Sequence, residues 1–102
     1  MAKLYLDSLT CVTTEDWTDT DEPKIVLEGK GTVWRGKVLD GQTYSVDYAC
    51  SFTGRIGVIL IEVDDPDPDD VLGYKRITDT PGTRTLHFNA SGAEYVLTYA
   101  VE

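Results

Sequence analysis

Carboxylates are the side chains of this sequence best placed to do chemistry, and they are unevenly distributed. Residues 15–22 carry Glu15, Asp16, Asp19, Asp21 and Glu22, and residues 62–70 carry Glu62, Asp64, Asp65, Asp67, Asp69 and Asp70. These two windows hold eleven of the eighteen acidic residues and none of the nine basic ones, so the net charge of −9 arises wholly within them. A chain acidic only for solubility spreads its carboxylates. Neighbouring carboxylates roughly 10–15 Å apart repel by about 1 kcal/mol per pair at an effective dielectric of about 20. A hard divalent cation removes that penalty. Calcium takes about six to eight oxygen ligands in flexible geometry. The windows offer oxygen in excess and neither Cys nor His, which disfavours zinc and copper. Magnesium ranks below calcium because it retains water. One or two calcium ions are therefore expected. In VDDPDPDDVLG, the alternation Asp65-Pro66-Asp67 turns two carboxylates to one side of an extended backbone, and Asp69 repeats the spacing. Pro66 and Pro68 stiffen the segment. An EF-hand is excluded, because its Gly and terminal Glu are missing and strands flank the segment.

The same arithmetic excludes several functions. A chain this acidic offers no basic face for nucleic acid. The single histidine, His87, sits between Leu86 and Phe88 in a strand-like run. No Ser/His/Asp set accompanies it, so the reading is non-enzymatic. Paired carboxylates can cleave glycosides, but here they are dense clusters without a groove of interleaved aromatics. Cys11 and Cys50 lie in apolar strand contexts; their spacing leaves open whether they are free thiols or a disulfide. Lys30, Arg35 and Lys37 read as a solvated sheet face. No stretch approaches the roughly 18 apolar residues of a membrane span, and none reads as a signal peptide; the compartment stays open.

Strands must position the carboxylates. Apolar periodicity is close to two, and turn signals recur every 8–12 residues, the pattern of an all-β sandwich. Eight strands are expected in one domain spanning residues 1–102, at about 3–12, 24–28, 32–38, 42–51, 55–63, 73–79, 84–89 and 93–101. Asp40-Gly41 reads as a hairpin turn closing the third strand. The fifth, RIGVILIEV, is apolar on both faces and so central. Val71 and Leu72 are expected to turn inward ahead of the sixth. Trp17 is expected to pack over its loop base and Trp34 to lie in the core or on a sheet. The two acidic windows fall in the two long connections, where function concentrates on a rigid scaffold.

At this point the residues resemble a family. Val63-Asp64-Asp65-Pro66-Asp67 followed by Asp70-Val71-Leu72-Gly73 looks like the third calcium loop of C2 domains. Asp16 and, six residues on, Glu22-Pro23-Lys24-Ile25-Val26 resemble the first loop, with Glu in place of Asp. Thr14-Glu15-Asp16-Trp17, Asp21-Glu22-Pro23 and Val33-Trp34 are also similar to small bacterial calcium-binding β-sandwich modules. The resemblance implies an eight-stranded antiparallel C2-like sandwich with both acidic loops at one end. It implies Asp16, Glu22, Asp65, Asp67 and Asp70 as calcium ligands, with backbone carbonyls of Trp17 and Asp64, and Asp19, Asp21 and Asp69 as weaker candidates. The segment between Asp67 and Asp70 is shorter than in the family, and only Pro66 and Pro68 stand between the carboxylates of its loop, so membrane contact is expected to be weak or absent. The protein is expected to be a monomer. Two rival readings stand beside this one. One is a carbohydrate-binding or adhesion module with structural calcium, using Trp34, Tyr44 and Tyr48. The other is an assembly or accessory protein that binds a protein partner.

Overall fold

A computed structural model describes residues 1–14, 20–63, 68–90 and 92–102. Alternating side chains build ten strands among them: β1 (Ala2–Thr13), β2 (Thr20–Asp21), β3 (Pro23–Leu27), β4 (Gly31–Arg35), β5 (Val38–Leu39), β6 (Thr43–Phe52), β7 (Arg55–Glu62), β8 (Asp70–Thr78), β9 (Gly82–Ala90) and β10 (Ala93–Val101). One four-stranded sheet runs β6-β1-β10-β9 and the other β4-β3-β7-β8; β2 and β5 form a separate two-stranded ladder. All pairings are antiparallel. The inner faces share one core. Leu4, Leu6, Leu9, Phe88 and Leu97 of the first sheet meet Ile25, Leu27, Val58, Leu60 and Ile77 of the second. As its apolar run requires, β7 lies inside its sheet, between β3 and β8.

Eight of these strands are the expected ones; β2 and β5 are additional. The expected third strand stops at Arg35. Val38 then drops into the core, 1% exposed, and the chain leaves the sheet to pair with Thr20 and Asp21. Asp40-Gly41 is accordingly a turn, but not the expected hairpin: β4 and β6 belong to different sheets. Gly41 sits at φ +75°, where a side chain would be strained, and its N–H donates to the Cys11 carbonyl at 2.7 Å.

Two irregularities decide which residues face inward. In β1 the register shifts between Leu6 and Ser8 against both neighbours. Ala2, Leu4 and Leu6 are buried on one side of Asp7, and Leu9 and Cys11 on the other. The extra residue thus changes the phase of the alternation and keeps both halves pointing inward. A second shift, between Leu60 and Ile61, lies where β8 begins. That strand starts at Asp70, three residues earlier than expected. Leu72 is buried as expected, but Val71 is 61% exposed, which corrects the inward placement of that residue. Val71 pairs with the half-buried Ile61 and shares its outward side.

Candidate metal centre

The strand directions bring the flanks of both acidic windows to one end of the sandwich. The first window leaves the C-terminal end of β1 and enters β3; the second leaves the C-terminal end of β7 and enters β8. Pro23 and Asp70 both pair with Glu62, from either side. The Val63 N–H donates to the Glu22 carbonyl at 3.0 Å, tying the two windows together through backbone.

Beneath this end lies a buried polar layer. Asp21, Glu62 and Thr14 are the buried polar residues among those described, at 3%, 2% and 6% exposure. The Tyr95 hydroxyl donates to Asp21 Oδ2 at 2.5 Å. The Glu22 N–H donates to Glu62, at 3.0 Å from Oε2 and 3.3 Å from Oε1. The Thr14 N–H donates to Asp40 Oδ1 at 2.7 Å, pinning the entry of the first window. Burial, reinforced by the Asp21 carboxylate, raises the Tyr95 phenol far above its ordinary range. Burial pushes the Cys11 thiol up to about 11, with Tyr95 opposing and Asp21, Asp40 and Glu62 adding to the rise. Cys11 and Cys50 are both free thiols.

Four of the expected ligand candidates are described. Glu22 is half-buried and ion-paired: Arg35 donates to its Oε2 through Nε at 2.8 Å and also through Nη2. Asp21 points inward to Tyr95. Asp69 Oδ2 stands 3.7 Å from Lys24 Nζ. Asp70 is exposed at the first position of β8. Asp16, Trp17, Asp19, Asp64, Asp65 and Asp67 lie outside the described residues. Among the described residues, no group of three or more His, Cys, Asp or Glu side chains is arranged to hold a metal ion. Trp34, Tyr44 and Tyr48 are half-buried and pack against the core. His87 is exposed on β9, 3.3 Å from Thr85 Oγ1.

Sequence reasoning missed Tyr95 and the supporting part of Glu62. Glu62 was detectable, because period two places it on the inward face with Val58 and Leu60. Tyr95 was not: it reads as one more apolar member of the stripe Tyr95, Leu97, Tyr99 and Val101.

No protein-family model and no curated protein sequence matches the chain. A solved structure described as "Structure of a C2 domain" is similar to it, with a TM-score of 0.60 at 13% identity, over 100% of this chain and 99% of that one. With two four-stranded antiparallel sheets around one core, the chain has a C2-like fold.

Proposed function

We propose that the protein is a non-enzymatic binding module that holds calcium between its two acidic segments. The observation that carries this reading is the joining of the segments' flanks at one end of the sandwich, through Val63 N–H to Glu22 O and through the pairing of Glu62 with both Pro23 and Asp70. The donor chemistry fits a hard cation, since the segments supply oxygen alone. Asp16, Asp65, Asp67 and Asp70 would bind through carboxylates, and Trp17 and Asp64 through backbone carbonyls. Glu22 would bind through Oε1, because both Arg35 contacts fall on Oε2. The cation would neutralise the crowded carboxylates and cross-link the segments. The bound state would present a calcium-dependent surface at that end.

Calorimetric titration of EDTA-stripped protein tests this. Calcium binding is expected, with Asp67→Asn weakening it about tenfold or more. Asp79→Asn, in the turn outside both segments, should titrate as the wild type does. Equal titrations of the two variants would show that the ligand assignment is wrong.

A further inference from the structure

Strand β8 ends its sheet: among the described residues its one hydrogen-bonded neighbour is β7. Strand β9 approaches across the sandwich edge but belongs to the other sheet. Tyr74, Lys75 and Arg76 are exposed in succession, although Lys75 pairs with the fully buried Val58. Successive side chains point to opposite faces, so both faces of the strand stand in solvent there. Such an edge is a template for another strand. Its residues run Asp69-Asp70-Val71-Leu72-Gly73-Tyr74-Lys75-Arg76, with acids at one end, bases at the other and the exposed Val71 and Tyr74 between. Reversed, the segment is complementary to itself. The register shift beside Ile61 decides whether that complementarity can be used. Leu72 is buried, and a Cβ on Gly73 would meet the core residue Phe88, so both face inward and β8 carries one extra residue. Val71 and Tyr74 therefore share the outer face, paired with Ile61 and Ile59, while Asp70 and Lys75 share the inner side, paired with Glu62 and Val58. Unbroken alternation would split each of these couples between the two faces.

We propose that β8 pairs antiparallel with β8 of a second copy of this chain, about a two-fold axis between Leu72 and Gly73. Val71 then stands opposite Tyr74 of the second copy and Asp70 opposite its Lys75, with Asp69 approaching its Arg76. The symmetry makes every pair twice. Opposite charges and aromatic–β-branched couples are the favourable cross-strand pairs. The two four-stranded sheets join into one continuous sheet, and the exposed Val71 and Tyr74 side chains cover each other. The antiparallel sense also sets the acidic flanks Glu22, Asp69 and Asp70 of the two copies at opposite ends of the pair, where a parallel sense would align them. Pairing needs no calcium, and it replaces the monomer expected from the sequence. So short a contact belongs to the small end of specific interfaces, and the association is weak and reversible.

Sedimentation velocity from micromolar to millimolar protein tests it. EDTA is present because Asp70 is also a proposed calcium ligand, and ionic strength is physiological because the charge of −9 on each copy opposes association at low salt. The wild type is expected to shift with concentration toward twice the chain mass. One variant reverses the basic end, Lys75→Glu with Arg76→Glu, and another the acidic end, Asp69→Lys with Asp70→Lys. Each alone sets like charges opposite each other and should associate about tenfold or more weakly than the wild type. Mixed in equal amounts, the two variants restore opposite charges across the axis on one side of the pair and should associate more strongly than either does alone. The chain carrying all four reversals should regain self-association, which also shows that the reversed residues are compatible with folding. Lys30→Glu, in the turn between β3 and β4 on the far side of the sheet, changes net charge alone and should associate about as the wild type does. A wild type that stays a single chain at millimolar concentration leaves the edge to solvent or to a foreign strand and overturns the proposal. So does a mixture that associates no better than its components, or a loss in Lys30→Glu equal to that of the β8 variants.

Discussion

Cys11 shows how one buried group reports on the fold. Its side chain is fully enclosed opposite Tyr95 in the β1–β10 ladder. Cys50 pairs with Leu4, seven residues earlier on β1. At about 3.3 Å per residue the two thiols are too far apart to bridge. The choice the sequence left open is thereby settled, because only register could supply the distance. The Cys11 thiol is raised to about 11 in the fold, mainly by burial, whereas in an unfolded chain it titrates near about 8.5. A raised acid keeps its contribution below the unfolded value and loses it as pH climbs toward the folded one. Stability to denaturant is therefore expected to fall between about pH 9 and 11, by up to about 1.4 kcal/mol per pH unit from this group. Cys11→Ala should flatten that slope. Denaturant midpoints at pH 8, 9.5 and 10.5 check it, and identical slopes in both proteins would contradict it.

At the scale of elements, β8 carries the sharpest contrasts. Leu72 is buried and Val71 stands in solvent. Leu72→Ala should cost about 2–4 kcal/mol, and Val71→Ser should stay within about 0.5 kcal/mol. Urea unfolding distinguishes this from the inward placement of both residues, which predicts comparable losses. Gly73 is needed for a packing reason: a Cβ there would lie 2.8 Å from Phe88 Cδ1, on the β9 strand that faces β8 across the sandwich edge. Gly73→Ala is expected to cost about 1–3 kcal/mol. In that background Phe88→Leu should cost less than it does alone, and additive losses would refute the contact. The eight long strands were legible because alternation along Tyr44, Val46 and Tyr48, or along Tyr95 to Val101, survives whatever the sheet order. The β2–β5 ladder was not, since Val38 leaves the β4 line for tertiary reasons that leave no local trace. Nor were the register shifts at Asp7 and before Ile61, where one extra residue reverses the phase without any change of composition.

For the whole molecule, the deciding fact is that the negative excess sits in two segments whose described flanks meet at one end. The clustering of Asp16, Asp65, Asp67 and Asp70 was visible in the sequence, because charge density needs no fold to be counted. The layer beneath was not: Arg35 on Glu22, Lys24 near Asp69 and Tyr95 on Asp21 are set by cross-strand register. If calcium binds the native state and not the unfolded chain, it stabilises by RT ln(1 + [L]/Kd), about 2.7 kcal/mol at a hundredfold excess over Kd. In a domain of this size that raises the melting temperature by more than about 10 °C. The measurement that tests the central claim most directly is a thermal scan of EDTA-stripped protein, repeated across a calcium series. The account predicts a midpoint that climbs by more than about 10 °C at that excess and returns when EDTA is added. A midpoint unchanged through millimolar calcium would contradict it.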